Sequence, residues 1–332
     1  MTCLFIAGLL FVPPYFAAAS SFSAPNEDRT SVILVVGAPG NEEYGTNFLR
    51  QAARWQSACA QAGARLTTIG VGPCPLTNDY EFLKQTLADE TKDGSGQLWL
   101  VLVGHGTFDG VQAQLNLRGP DVSATDLSEW LRPFHRPMAV IDTTACSGPF
   151  LNKLSATNRV IITATRSGNE ESFARFGQYF AEALTNPQAD IDHDGQISLL
   201  EAFLTASRQT GEFYKLQGRL ASEHALLDDN GDGLGTPADW FRGLRAVKKP
   251  EKGEAADGLL AQQFCLIPSP DERHLTPEEM TQRDAVEKAV LTLREKKAQL
   301  PEDEYYHELE TLLLQLARFY GPAATNSPAP PK

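Results

Sequence analysis

Short apolar runs recur along the first two thirds of the chain, each bounded by glycine or polar residues and most followed by an amphipathic stretch. Ser31 to Gly37 reads as a strand, and Tyr44 to Ala62 as an amphipathic helix with Gly63 as its stop signal. Arg65 to Val71 is the next strand and Asp79 to Asp89 the next helix. The run Leu98 to Val103 ends in Gly104-His105-Gly106, and Ser123 caps a short helix to Leu131. Met138 to Thr144 ends in Ala145-Cys146-Ser147-Gly148; Arg159 to Thr165 and a helix from Glu171 to Leu184 follow. Gln262 to Ile267 is expected as a last strand. This alternation predicts an α/β fold: a mostly parallel sheet, connected by right-handed crossovers and flanked by helices.

Past Pro268 the pattern changes. Thr276-Pro277-Glu278-Glu279 is a capping-box start with proline at the first helical position. Val286, Ala289, Val290 and Leu293 then share a helical face; beyond Pro301, Leu309, Leu312, Leu313, Leu316 and Phe319 form a second stripe. Residues 270–320 are therefore expected as a helical hairpin appended to a main domain at 30–268, with a Pro/Ala-rich disordered tail at 321–332.

The sequence has 332 residues, a formal net charge of −13, and 42% hydrophobic and 21% charged residues. These values suit a globular protein, and the acidity argues against nucleic-acid binding, which needs clustered Lys and Arg. Leu4 to Val12 is an apolar core and Ala17-Ala18-Ala19 a small-residue cleavage site, so residues 1–24 are expected to be an export signal directing the protein to a secreted or periplasmic location. No Lys or Arg precedes Arg29, and Pro13-Pro14 argues against a stable spanning helix. Five cysteines do not make a disulfide scaffold at this length, although Cys59 and Cys74 are candidates to bridge in an oxidising compartment.

Chemistry in open α/β sheets sits beyond the carboxyl ends of the strands. Two such strands here deliver an imidazole, His105, and a thiol, Cys146, which together supply a base and a nucleophile for acyl transfer. The backbone N–H groups of Gly106 and Cys146 are the natural donors to an oxyanion.

Two acidic loops add a second kind of site. Asp190, Asp192, Asp194, Gln196, Ser198 and Glu201 occupy the ligand positions of a twelve-residue calcium loop, with Gly195 at the sharp turn. Asp228, Asn230, Asp232, Leu234, Thr236 and Asp239 repeat that spacing more loosely over 228–239, with Asp in place of the closing Glu. The spacing allows two helix–loop–helix units to pair, and bound Ca2+ is expected to brace this region rather than to switch it.

Taken together, the strand ending His105-Gly106, the strand ending Ala145-Cys146-Ser147-Gly148 and the segment Tyr44-Gly45-Thr46-Asn47-Phe48-Leu49-Arg50-Gln51-Ala52 resemble the legumain-like cysteine peptidases of the caspase/legumain/gingipain fold group. The resemblance covers roughly residues 30–185 and the expected last strand. It implies peptide or protein substrates, Asn47 as the group that orients His105, and a specificity pocket near Arg50, Thr144, Ser172 and Gln178. Thr144 and Gln178 stand where the family has acids, and Arg50 is one place from the family's pocket arginine, so the asparagine preference of legumains is not carried over. Some relatives carry an occluding C-terminal helical segment, which the hairpin is expected to resemble. The reading is an exported, calcium-stabilised cysteine endopeptidase; the alternatives are a catalytically silent calcium-binding scaffold on the same fold and a transpeptidase using the same dyad.

Overall fold

The structure, a computed structural model, describes residues 29–170, 173–252 and 255–320. The expected export signal, Ser172 and the C-terminal tail lie outside these residues. The chain begins with β1 (Ser31–Val36), α1 (Glu42–Ala62), β2 (Arg65–Ile69), α2 (Asp79–Asp89) and β3 (Leu98–Val103). Three short strands, β4 (Gly106–Phe108), β5 (Ala113–Leu115) and β6 (Val122–Ser123), lead into α3 (Ala124–Leu131). Next come β7 (Met138–Asp142), α4 (Gly148–Leu154), β8 (Arg159–Thr163), α5 (Phe176–Ala183) and α6 (Leu199–Leu216). The short strands β9 (Leu226–Asp228), β10 (Thr236–Pro237), β11 (Phe241–Arg242) and β12 (Arg245–Ala246) precede α7 (Leu259–Gln263), α8 (Pro277–Glu295) and α9 (Glu302–Tyr320).

The main sheet runs β10-β9-β8-β7-β3-β1-β2. Its strands from β8 to β2 are parallel, while β9 and β10 are antiparallel additions at one edge. Strands β1, β3, β7 and β8 are buried throughout, as expected where helices cover both faces of a parallel sheet. Alternation of side chains along these strands divides the core in two. Leu34, Val101 and Ile141 pack with Phe48 and Trp55 of α1, Phe180 of α5 and Phe203 of α6. Ile33, Leu100 and Val140 face Leu83 of α2, Leu127 of α3 and Phe150 of α4.

Polar residues set where the helices begin. Asn41 and Asn78 accept from the third residue of α1 and α2, and Ser123 forms a reciprocal box with Asp126 at α3. The helix expected from Glu171 starts instead at Phe176, where Glu223 accepts from the backbone N–H groups of Arg175 and Phe176. The expected strand at 262–267 is not formed. Its first residues belong to α7, and Cys265 makes only an isolated bridge to Ser198. The sheet is completed by β9 and β10 instead.

Helices α8 and α9 form the expected hairpin; buried Arg283 of α8 pairs with Glu272 and Asp284, and Tyr320 at the end of α9 donates to Glu272 at 2.6 Å. A cavity of about 730 Å3 separates the hairpin from the body; Thr30, Gln97, Pro137 and Asn158, at the amino ends of parallel strands, line it opposite Asp284 and Val290. The hairpin therefore does not occlude the edge that carries His105 and Cys146, which follow the carboxyl ends of β3 and β7.

Candidate active site

Strands β3 and β7 are adjacent and parallel, with Leu102 opposite Asp142, so the residues that follow them emerge side by side. Cys146 lies under β4 and β5. Its Sγ donates to the Gln114 carbonyl at 3.5 Å and lies 3.8 Å from Thr144 Oγ1. Gly106 packs directly against this sulfur, and a methyl group there would collide with Sγ and stand 2.9 Å from Gln114 O. Glycine at 106 is thus required by close approach between the two strand-end segments.

His105 presents its ring to aromatic side chains. The centroid distances are 4.5 Å to Tyr44, 5.2 Å to Phe48 and 6.5 Å to Phe173, all near edge-on. Asn47, expected to orient the imidazole, donates to Glu43 O at 3.1 Å and accepts from Arg50 at 3.2 Å, both on its own helix. Rings, rather than this amide, pack against the histidine. The apolar spacing of Tyr44 and Phe48 on α1 carried that signal, but both read equally well as ordinary core positions.

The thiol is 1% exposed, and burial, followed by the nearby Asp142 carboxylate, pushes its pKa up to about 12. Asp142 is itself fully buried; one oxygen accepts from Thr144 N at 2.9 Å, the other has no hydrogen-bond partner, and burial raises its pKa to about 6. In this arrangement the sulfur is a protonated, resting thiol. His105 and Cys146 thus follow adjacent strands, and the sulfur is engaged with Gln114 O.

The expected pocket residues separate. Arg50 is exposed and engaged with Asn47, whereas the next residue, Gln51, is buried with Oε1 unpartnered. A Cβ at Gly177 would lie 2.7 Å from Gln51 Oε1 and 2.6 Å from Thr143 Cβ, so α1, α5 and the end of β7 converge there. Thr144 stands beside the sulfur, and Gln178 is half-buried with its carbonyl accepting from Arg54 at 3.4 Å. Thr165 closes the other side: its Oγ1 accepts from Gly148 N at 3.2 Å and lies 3.0 Å from Ser147 Oγ.

In the first acidic loop the carboxylates of Asp190, Asp192 and Asp194 converge, one oxygen of each within 4.8 Å of the others. Burial and the charges of Asp194, Glu201 and Asp190 push the Asp192 carboxyl up to about 6. Asp190 accepts from Gly195 N at 3.1 Å, Asp194 from Gln196 N at 3.0 Å, and Glu201 from Ile191 N at 2.7 Å and Ser198 Oγ at 2.9 Å. The second loop connects β9 to β10 instead of two helices, so no paired helix–loop–helix unit forms. Asp228, Asn230, Asp232, Leu234 and Thr236 line it, but Asp239 is exposed on a 3-10 turn at Ala238–Trp240. The carboxylate that faces this loop is Asp257, which the sequence reading missed because it lies far along the chain. Cys59, Cys74, Cys146 and Cys265 are all free, so the suggested Cys59–Cys74 bridge is not made.

No family model and no curated protein matches the sequence. Among solved structures, the chain is similar to the Drosophila initiator caspase Dronc, at 11% identity and a TM-score of 0.43 over 68% of this chain and 93% of that one. It is also similar to caspase-1 from Spodoptera frugiperda, at 11% identity and 0.41 over 61% of this chain and 87% of that one.

Proposed function

We propose that this chain is a cysteine peptidase in which Cys146 is the nucleophile and His105 the general base and acid. The observation that carries the reading is the meeting of two strand-end segments at one sheet edge, where Gly106, next to His105, lies against the sulfur of Cys146. The Cys146 thiol gives its proton to His105 as sulfur bonds to the peptide carbonyl carbon; the tetrahedral oxyanion is held by backbone N–H groups, for which those of Gly106 and Cys146 are the candidates. Collapse expels the amine, which takes the proton from His105, and water then hydrolyses the thioester. Because the thiol is protonated and tucked beneath Gln114, this reading requires Sγ to leave the Gln114 carbonyl and meet the imidazole when substrate binds.

Calcium is proposed as a structural partner of the first loop, where Asp190, Asp192 and Asp194 converge and repel one another without a cation. Among the described residues no helix is long and apolar enough to cross a membrane. Export remains part of the proposal and rests on the amino-terminal sequence alone.

The burial of Cys146 favours one competing reading, a calcium-bound scaffold without catalysis. Turnover of a mixed peptide library by the purified protein decides between them. The peptidase reading expects cleavage that disappears in both Cys146→Ala and His105→Ala; no cleavage by wild type, or cleavage unaltered by either change, supports the scaffold.

A further inference from the structure

We propose that the β11–β12 hairpin and its exit, Trp240 to Lys249, dock on the surface of an anionic lipid bilayer. Arg242, Arg245 and Lys248 meet headgroup phosphates there, and Val247 enters the boundary between headgroups and acyl chains.

The chain reverses its charge in this segment. Its formal net charge is −13, yet Trp240 to Lys249 contains Arg242, Arg245, Lys248 and Lys249 and no acid. Asp239 precedes the segment, and Glu251 and Lys252, which offset each other, follow it. All four cations are exposed, and Val247 among them is 48% exposed. The base of the hairpin is fixed to the body: Phe241 packs edge-on against Phe203 of α6 with centroids 6.4 Å apart, and Leu244 O accepts from Gln262 Nε2 at 3.0 Å. Its tip projects. Gly243 takes a φ of 56°, and a Cβ there would meet nothing within 4 Å.

An independent observation points to an anionic partner. Arg242 stands directly opposite Arg245 across the two strands, which places both side chains on one face with Cβ atoms about 5 Å apart. Like charges so placed destabilise a hairpin, and neither arginine nor Lys248 makes an ion pair among the described residues. Two adjacent guanidinium forks match the oxygens of a phosphate. Val247 continues the ladder by donating to Trp240 O at 2.8 Å, so strand alternation puts it on the face of Arg245. That valine selects the source of phosphate: a bilayer covers it together with the phosphate contacts, whereas a free phosphate leaves it in water. The acidity of the rest of the chain does not prevent docking, because charges beyond a Debye length, about 8 Å at physiological ionic strength, are largely screened.

Cosedimentation of the full-length protein with vesicles tests this, comparing phosphatidylcholine alone with phosphatidylcholine mixed with phosphatidylglycerol. Wild type is expected to bind the mixed vesicles more tightly, by a margin that shrinks as salt is raised. Arg242→Gln/Arg245→Gln is expected to bind the mixed vesicles about 30-fold more weakly, since each Lys or Arg near an anionic leaflet strengthens binding about 5-fold. Val247→Ser weakens binding without changing its salt dependence. Lys153→Gln/Lys288→Gln, at exposed positions on α4 and α8, removes the same charge elsewhere and is expected to bind as wild type does. Circular dichroism checks that each variant is folded; if the arginine variant is not, Lys248→Gln, with a loss of about 5-fold, carries the test. Equal binding of wild type to the two vesicle types overturns the proposal, as do equal losses in the two double variants. Displacement from vesicles by inorganic phosphate at constant ionic strength identifies a free-phosphate site instead, and binding to polyglutamate but not to mixed vesicles identifies a surface for acidic proteins; either result contradicts bilayer docking.

Discussion

With Gln114 O and Thr144 Oγ1 as its neighbours and a pKa raised to about 12, the thiol of Cys146 carries its proton throughout the neutral range. In the proposed mechanism the proton therefore passes to His105 during attack, and no standing thiolate is involved. Asp142 beneath it makes the same environment measurable by stability. Its folded-state pKa of about 6 exceeds the ordinary carboxylate value, so the stability it contributes is complete below about pH 4 and is lost as pH rises through about 6. Asp142→Asn keeps the acceptor for Thr144 N and cannot ionise. We predict that its stability relative to wild type increases between about pH 4 and pH 6, by up to about 3 kcal/mol. Denaturant unfolding of both proteins across this range checks it; a difference that does not change with pH contradicts a buried, uncompensated Asp142. The strand-end placement of His105 and Cys146 was legible in the sequence because apolar runs locate strand ends. The burial of the sulfur was not, since it depends on β4 and β5 folding over it.

At the scale of elements, patterning located most of the main sheet. Asp79–Asp89 forms α2 within the limits its sequence suggests, because polar caps and a buried Leu83–Leu87 pair mark one helix. The run at 262–267 misled for a physical reason: Phe264 and Leu266 are buried beneath helices at a turn, and a short apolar run does not distinguish that from a strand. Asp257 was illegible because an acceptor supplied to the loop from far along the chain leaves no trace in local spacing. The hairpin stripe was visible, but not that Arg283 of α8 meets Glu272 in a buried pair to which Tyr320, at the end of α9, also donates. Removing one member of such a pair costs about 3–5 kcal/mol. Arg283→Ala is therefore expected to speed hydrogen exchange across α8 and α9 while leaving β3 and β7 protected. Unchanged exchange in the hairpin contradicts a stabilising role for this pair.

Across the whole molecule, the proposed reactive edge and the acidic loop at Asp190–Glu201 lie at different ends of the sheet. Asp192 and Asp194 line the cavity beside the hairpin with residues from the amino ends of the strands, whereas His105 and Cys146 follow the carboxyl ends. Calcium is accordingly expected to act through stability. Ca2+ at about 100 times its dissociation constant stabilises a folded protein by about 2.7 kcal/mol per site, if the unfolded chain does not bind it. Chelation should lower Tm yet leave the initial peptidase rate unchanged well below the melting transition. A rate that falls with chelation while the protein stays folded contradicts a purely structural ion.

The most direct test of the central claim is labelling of the purified protein with a peptidyl electrophile that forms a thioether, mapped by mass spectrometry in wild type, Cys146→Ala and His105→Ala. The account predicts modification at Cys146 in wild type, no adduct in Cys146→Ala, and strongly slowed labelling in His105→Ala. Labelling confined to Cys74 or Cys265, or equal in all three proteins, contradicts it.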